Sequence, residues 1–205
     1  MTTTDQTRAP KGRASRRRSE HARLAVVRAA DDLLAERGFA AVTIKGIAAR
    51  AGVAKQTIYR WWPSKVDVLL DSLLDDAGSQ LTVPDTGPVV EGVRRYLHGL
   101  ARFLAEEPAG KVLLALMGEA QHDPATARLV HERFLGPQRE HERAMLQRGI
   151  DSGELPAGLD IDDVLDALSG PIFYRALTGQ QSPQAFTDEL VARWLPVERL
   201  SREGV

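Results

Sequence analysis

Apolar residues recur at helical spacing along most of the chain, and no stretch alternates in the manner of a strand. Leu24, Val27, Leu33 and Leu34 form one stripe, which predicts an amphipathic helix from residue 19 or 20 to 37, stopped by Gly38 in the manner of a C′ glycine. Phe39 and Val42 then return to a small core. Ile44, Ile47, Ala48 and Ala51 predict a second, short helix. Thr43 can cap its start with a hydroxyl, and Gly52 supplies the positive φ that a tight turn between helices requires. Residues 54–61 predict a third helix with Ile58 inward and Lys55, Gln56, Thr57 and Arg60 outward. Pro63-Ser64 ends it, and Ser64 opens a fourth helix to about residue 77, capped reciprocally with Asp67. Val66, Leu69, Leu70, Leu73 and Leu74 are its apolar positions.

Residues 78–88 carry two Gly and two Pro and read as a linker. Helices are expected again over 89–106, 108–121 and 125–135. A break or kink is expected at Gly136-Pro137, where proline lacks the N–H that a helix interior uses. The helix resumes to about 150. Asp160 opens another through Phe173, with a second kink expected at Gly170-Pro171, and a last helix covers 184 to about 195 or beyond. The fold class is therefore all-α. Residues 1–18 are expected to be a flexible basic arm, 19–77 a helix-turn-helix domain and 78–205 a second helical domain.

Composition narrows the chemistry. The 205 residues include no cysteine, which excludes disulfides, thiolate metal sites and cysteine catalysis. No apolar run reaches the roughly 18 residues that suggest a membrane span, so no membrane partner is expected. The polar, basic N-terminal residues do not resemble a secretory signal, and cytoplasmic residence is the expectation. The net charge of −1 conceals an asymmetry: residues 1–65 hold 14 Lys+Arg and 5 Asp+Glu, whereas residues 66–205 hold 13 and 23. A basic head on an acidic body suits a polyanionic partner. Arg13 and Arg16 to Arg18 would let the arm lie in a minor groove or along phosphates, and an unengaged tail accounts for it equally well.

The basic half coincides with the helix-turn-helix pattern, a unit shaped for the DNA major groove. Thr43 sits at a helix N-terminus, where a phosphate is favoured. Lys45 points outward from the second helix. Lys55, Gln56 and Thr57 are the candidate base readers: Lys for guanine, Gln for adenine, the Thr methyl for thymine. Tyr59 can donate to a phosphate or serve the core. Arg60 suits a base or a phosphate. Trp61 and Trp62 are expected to divide between the DNA-facing edge and the interior. Lys65, in the first turn of the fourth helix, opposes the dipole, which a phosphate beside it would explain.

The five histidines show no metal spacing, the acids Asp162, Asp163 and Asp166 are explained by their helix start, and Ser169-Gly170 lacks a nucleophile-elbow context. No metal, cofactor or catalytic residue is expected.

The segment GFAAVTIKGIAARAGVAKQTIYRWWPSKVDVLL resembles the DNA-binding domain of TetR-type transcriptional repressors. The matching features are the Gly-Phe after the first helix, the Thr opening the second, IA-x-x-AGV at the turn, T-I-Y in the recognition helix and aromatic-x-SK at the fourth. Trp61-Trp62-Pro63 departs from the His-Phe more often found there. GELPAGLD and SGPIFYRALTG resemble the C-terminal helices of one subgroup. The resemblance implies a homodimer on a palindromic double-stranded DNA operator, released by an unknown small molecule bound in each C-terminal domain. Candidate liners of such a pocket are His98, Phe103, Leu113, Leu116, Met117, Gln121, Phe134, Phe173 and Tyr174, although each apolar one serves equally as core. Leu165, Leu168, Ile172, Phe173, Phe186, Leu190, Val191 and Trp194 are the candidate dimer stripe. Two rivals remain: an enzyme fused to a DNA-binding head, for which no catalytic constellation is evident, and an architectural DNA binder with little sequence discrimination.

Overall fold

The structure, a computed structural model, describes residues 11–195, the side chains of residues 11–18 and of Ser79 excepted. Ten α-helices and no strand occur among the described residues. The chain divides into two compact units between Leu69 and Leu70, inside the fourth helix. The Gly- and Pro-rich stretch expected to separate domains ends that helix and follows the division.

The first unit holds α1 (Lys11–Arg37), a 3-10 turn (Phe39–Ala41), α2 (Ile44–Ala51), α3 (Lys55–Tyr59) and the first residues of α4 (Lys65–Gln80). The first helix starts at Lys11, earlier than the apolar pattern indicates. Arg, Lys and Ala between residues 11 and 18 are good helix formers, so a helix nucleated by the packed stretch propagates backward. The first ten residues of the expected arm lie outside the described residues. Val26, Val27, Ala30, Leu33 and Leu34 bury the inner face of α1. Leu24, assigned to that stripe from its spacing, is instead exposed.

Two glycines shape this unit. Gly38 (φ 72°) follows α1, and Gly52 (φ 67°) closes α2 with its N–H bonded to the Ala48 carbonyl. Thr43 caps α2 by accepting from the Gly46 N–H at 3.0 Å. A Cβ on Gly46 would sit 3.2 Å from the Thr43 hydroxyl and 3.4 Å from Leu33 Cδ1, so α2 approaches both its cap and α1 closely there. Val42, Ile47 and Ile58 are sealed in the core with Trp62 and Leu69. Truncating either isoleucine to alanine removes about 2–5 kcal/mol of stability. Between α1 and α2, Arg50 donates to both Glu36 oxygens at 2.8 and 2.7 Å, and this hydrogen bonding holds the Glu36 carboxyl below its usual range. At the start of α4, Asp67 accepts from the Ser64 N–H and hydroxyl while its own N–H donates to Ser64 Oγ.

The second unit holds the rest of α4, then α5 (Val89–Glu106), α6 (Pro108–Ala120), α7 (Pro124–Val130), α8 (Gly136–Asp151), α9 (Ile161–Leu177) and α10 (Gln184–Trp194). The central helix is α5, packed against α6, α8, α9 and α10. Its positions Val93, Leu97, Leu100, Phe103 and Leu104 are buried at helical spacing. Its N-terminus is capped from a distance: the Glu154 carboxylate accepts from the Val89 and Val90 N–H groups at 2.7 and 2.8 Å. At its other end the chain turns into α6 so tightly that a Cβ on Gly110 would lie 2.0 Å from the Phe103 carbonyl oxygen.

At Gly136-Pro137, where a kink or break is expected, the helical run does not end. Residues His131–Leu135 form a π-turn between α7 and α8, with the Gly136 N–H bonded to the His131 carbonyl five residues back. The widened turn takes one extra residue and accommodates Pro137 without interrupting the rod. Pro171 likewise lies within an uninterrupted α9.

Candidate functional site

The turn between α2 and α3 and the residues after it display most of the polar groups singled out from the sequence. Thr43, Lys45, Lys55, Gln56, Tyr59 and Arg60 are exposed, Tyr59 to 56%. Thr57 and Trp61 are half-buried. Ile58, on the opposite side of α3, is completely buried and anchors that edge to the core. The third helix is shorter than expected: it ends at Tyr59, and the chain continues as a turn in which the Trp61 and Trp62 N–H groups both reach the Ile58 carbonyl at 2.9 Å. The tryptophans differ in exposure. Trp62 is buried and Trp61 lies toward solvent, their rings edge-to-face with centroids 5.4 Å apart. The Arg60 guanidinium lies 5.8 Å from the Trp61 ring centroid.

Lys65 has a partner within its own chain. Its ammonium donates to the Phe39 carbonyl at 3.0 Å and lies 3.8 Å from the Phe39 ring centroid. The misfit of a cation in the first turn of α4 thus has an internal explanation, and the expected phosphate is not required for it.

The residues assigned to an effector pocket do not converge on one cavity. Phe103, Leu113 and Leu116 are closed into the core. Met117 is half-buried. Gln121 is exposed and its amide turns back to the Met117 carbonyl at 3.4 Å. Tyr174 is 64% exposed. Phe134 lines a cavity of about 340 Å³ with Leu81 and Gln138, and Phe173 lines another of about 370 Å³ beside the π-turn. His98 lines a third and larger groove of about 950 Å³. The spacing identified these side chains as inward-facing but held no information on which interior they face.

The dimer assignment changes in the same way. Leu165, Leu168, Ile172, Leu190 and Val191 are buried within a single chain, so they cannot also cover a partner. Phe186 is half-buried beneath the Arg175 guanidinium, 4.3 Å from its ring centroid. Trp194 is 42% exposed, and Tyr174 and Leu177 are the other exposed large apolar side chains of α9 and α10.

One buried polar group falls outside the sequence reading. Glu142 on α8 accepts the Tyr96 hydroxyl, which in turn accepts from the Gln138 amide at 3.1 Å. Burial pushes the Glu142 carboxyl above its usual range, against the opposing effect of the Tyr96 hydrogen bond, and raises the Tyr96 phenol as well. Among the described residues no cluster of three His, Cys, Asp or Glu could hold a metal, and no helix is long and apolar enough to cross a membrane.

Comparison with known proteins agrees with the geometry of both units. Residues 26–71 match the family described as bacterial regulatory proteins, tetR family, and residues 83–194 match the tetracyclin repressor-like C-terminal domain. The uncharacterized HTH-type transcriptional regulator YdeS of Bacillus subtilis (strain 168) is 43% identical over 177 residues, covering 86% of this chain and 89% of its own. The crystal structure of the TetR family transcription regulator SCO0332 superposes with a TM-score of 0.69 at 29% identity, covering 84% of this chain and 96% of that one. FadR from Bacillus subtilis, solved in complex with stearoyl-CoA, has the same fold, with a TM-score of 0.69 at 21% identity over 84% of this chain and 97% of its own. With its exposed recognition edge on a buried anchor, and with both units matched, the chain belongs to the TetR family and is a helix-turn-helix DNA-binding transcriptional regulator, not an enzyme.

Proposed function

We propose that the protein is a ligand-responsive repressor that binds a palindromic operator as a homodimer in the cytoplasm. The observation that carries this reading is the edge formed by Lys55, Gln56 and Tyr59, exposed on a helix whose opposite residue, Ile58, is fully buried. Such an edge enters a major groove without loss of core. Lys55, Gln56 and Thr57 read bases; Thr43, Lys45, Tyr59, Arg60 and Trp61 set the register on the backbone. Lys65 supports this surface by holding Phe39, and its charge adds to the field felt by phosphates. The partner chain is met through Tyr174, Leu177 and Trp194, large apolar side chains of α9 and α10 that are exposed in a single chain.

An effector acts in the second unit by favouring the half-site spacing that misses the operator. It must bind the two states unequally, because equal affinity shifts nothing. The stearoyl-CoA complex of FadR supports a search for an effector there.

Operator selection from random duplexes, followed by mobility shifts with and without candidate effectors, tests the reading. One palindrome should emerge. Gln56→Ala should alter preference at one position of each half-site by roughly 1–3 kcal/mol. Tyr59→Phe should weaken all sequences alike and leave preference intact. Binding that depends on salt but not on sequence would identify an architectural DNA binder instead.

A further inference from the structure

A groove of about 950 Å³ in the second unit runs along α5 beside the start of α6 and the loop joining α9 to α10. Three cations line it: Arg95 and Arg102 on α5, and Lys111 on α6. The arginines are seven residues apart, two helical turns, and therefore share one face of α5. All three are exposed, and none has an ion-pair partner among the described residues. They are gathered in the acidic part of a chain whose residues 66–205 hold ten more acids than bases. Scattered solvated arginines would find carboxylates easily in such a surface, as Arg139 and Arg143 do with Asp162.

The acid bonded to the groove residue His98 does not neutralise the groove. Asp188 on α10 is already held by Arg94 at 2.9 Å and His98 at 3.0 Å, and these contacts depress its carboxyl below the usual range. Its charge is satisfied by those two residues. Glu106 is the single carboxylate on the groove wall. The lining is mixed: beside the cations it includes the apolar Leu104 and Leu114 from α5 and α6 and Ala176 from α9.

The geometry points to a binding site for a small organic anion with an apolar tail, its carboxylate or phosphate held by Arg95, Arg102 and Lys111 and its tail laid on Leu104 and Leu114. The chemistry of the lining favours it. A guanidinium presents a planar fork to a carboxylate or phosphate, and apolar side chains beside a few polar groups are the common make-up of a ligand site. This assignment names the class of the effector and so deepens the regulator reading, but the site itself stands or falls on direct binding.

The test is titration calorimetry of the full chain with octanoate, octyl phosphate, octanol and octylammonium, each below micelle formation. The two anions should bind, octanoate and octyl phosphate separating the two head groups, and at least one should bind tenfold more tightly than octanol and octylammonium. Higher salt should weaken that binding. Arg95→Gln combined with Arg102→Gln should cut anion affinity at least tenfold while the circular dichroism spectrum and Tm stay unchanged, and Arg102→Lys should retain part of it. Equal binding of the alcohol and the ammonium probe, unaltered affinity in the double variant, or binding of polyglutamate but neither small anion would overturn the proposal. Operator binding is measured in parallel. Anion binding with no release of DNA would uphold the site and remove its role as effector site. Intact operator binding with no anion binding would overturn the site and leave the DNA-binding reading standing.

Discussion

Lys65 and Phe39, 26 residues apart in sequence, are joined twice: by a hydrogen bond from the ammonium to the carbonyl and by the ammonium over the ring. The pair ties the entrance of α4 to the turn after α1. Lys65→Met keeps most of the aliphatic stem and removes both interactions. It should lower the stability of the first unit by about 1–2 kcal/mol, read from the urea midpoint of the helical signal. An unchanged midpoint would return Lys65 to a purely phosphate-contacting role.

The buried carboxylate of Glu142 predicts a particular pH dependence. In the native state Glu142 keeps its proton to a higher pH than in the unfolded chain. Below the ordinary glutamate range both states are protonated and the group costs nothing. As pH rises from that range through the elevated native value, the native state must give up a proton at increasing cost, and stability falls. Glu142→Gln keeps an acceptor for the Tyr96 hydroxyl and removes the titration. It should be more stable than the parent near neutrality and show a flatter stability profile above the ordinary glutamate range. A parent and variant with parallel profiles would contradict the assignment.

Much of this was legible in the sequence where a local rule suffices. Thr43, Gly52, Ser64 and Asp67 act within three or four residues of themselves, so caps and turns follow from neighbours alone. Ile47 and Ile58 were legible as core because helical spacing reports burial. The same spacing could not say whether Leu168 or Ile172 is buried by its own chain or by a partner, since both interiors are apolar. It also missed relationships formed across long separations: Glu154 capping α5 from 65 residues away, and Glu142 meeting Tyr96. The pairing of Arg95 with Arg102 was visible as a two-turn interval, but its lack of carboxylate partners depends on what α6 and α10 bring alongside.

Gly110 has no room for a side chain. Its hypothetical Cβ would overlap the Phe103 carbonyl and crowd the Leu104 backbone, which cannot rotate aside. Gly110→Ala should therefore separate α5 from α6 and lower stability by about 1–3 kcal/mol or more, although alanine is the better helix former. Thermal unfolding of the variant checks it; a raised Tm would show that the corner has slack.

The exposed apolar residues of α9 offer a test of assembly. Leu177→Glu places a charge on a side chain that is 57% exposed in one chain and should leave the fold intact. If that face meets a second copy, dissociation of the dimer should become at least tenfold easier, by analytical ultracentrifugation, with operator binding lost in parallel. A variant that sediments like its parent would move the interface elsewhere.

The π-turn at His131–Leu135 sets the phase of everything after it. One residue more or fewer in an α-helix turns the following side chains by about 100°, and the extra residue here is what aims Gln138 and Glu142 at Tyr96. Deleting any one of these five positions would tidy the rod into an ordinary helix while swinging the acid out of its cradle. In this stretch of the chain, residue count is constrained more tightly than residue identity.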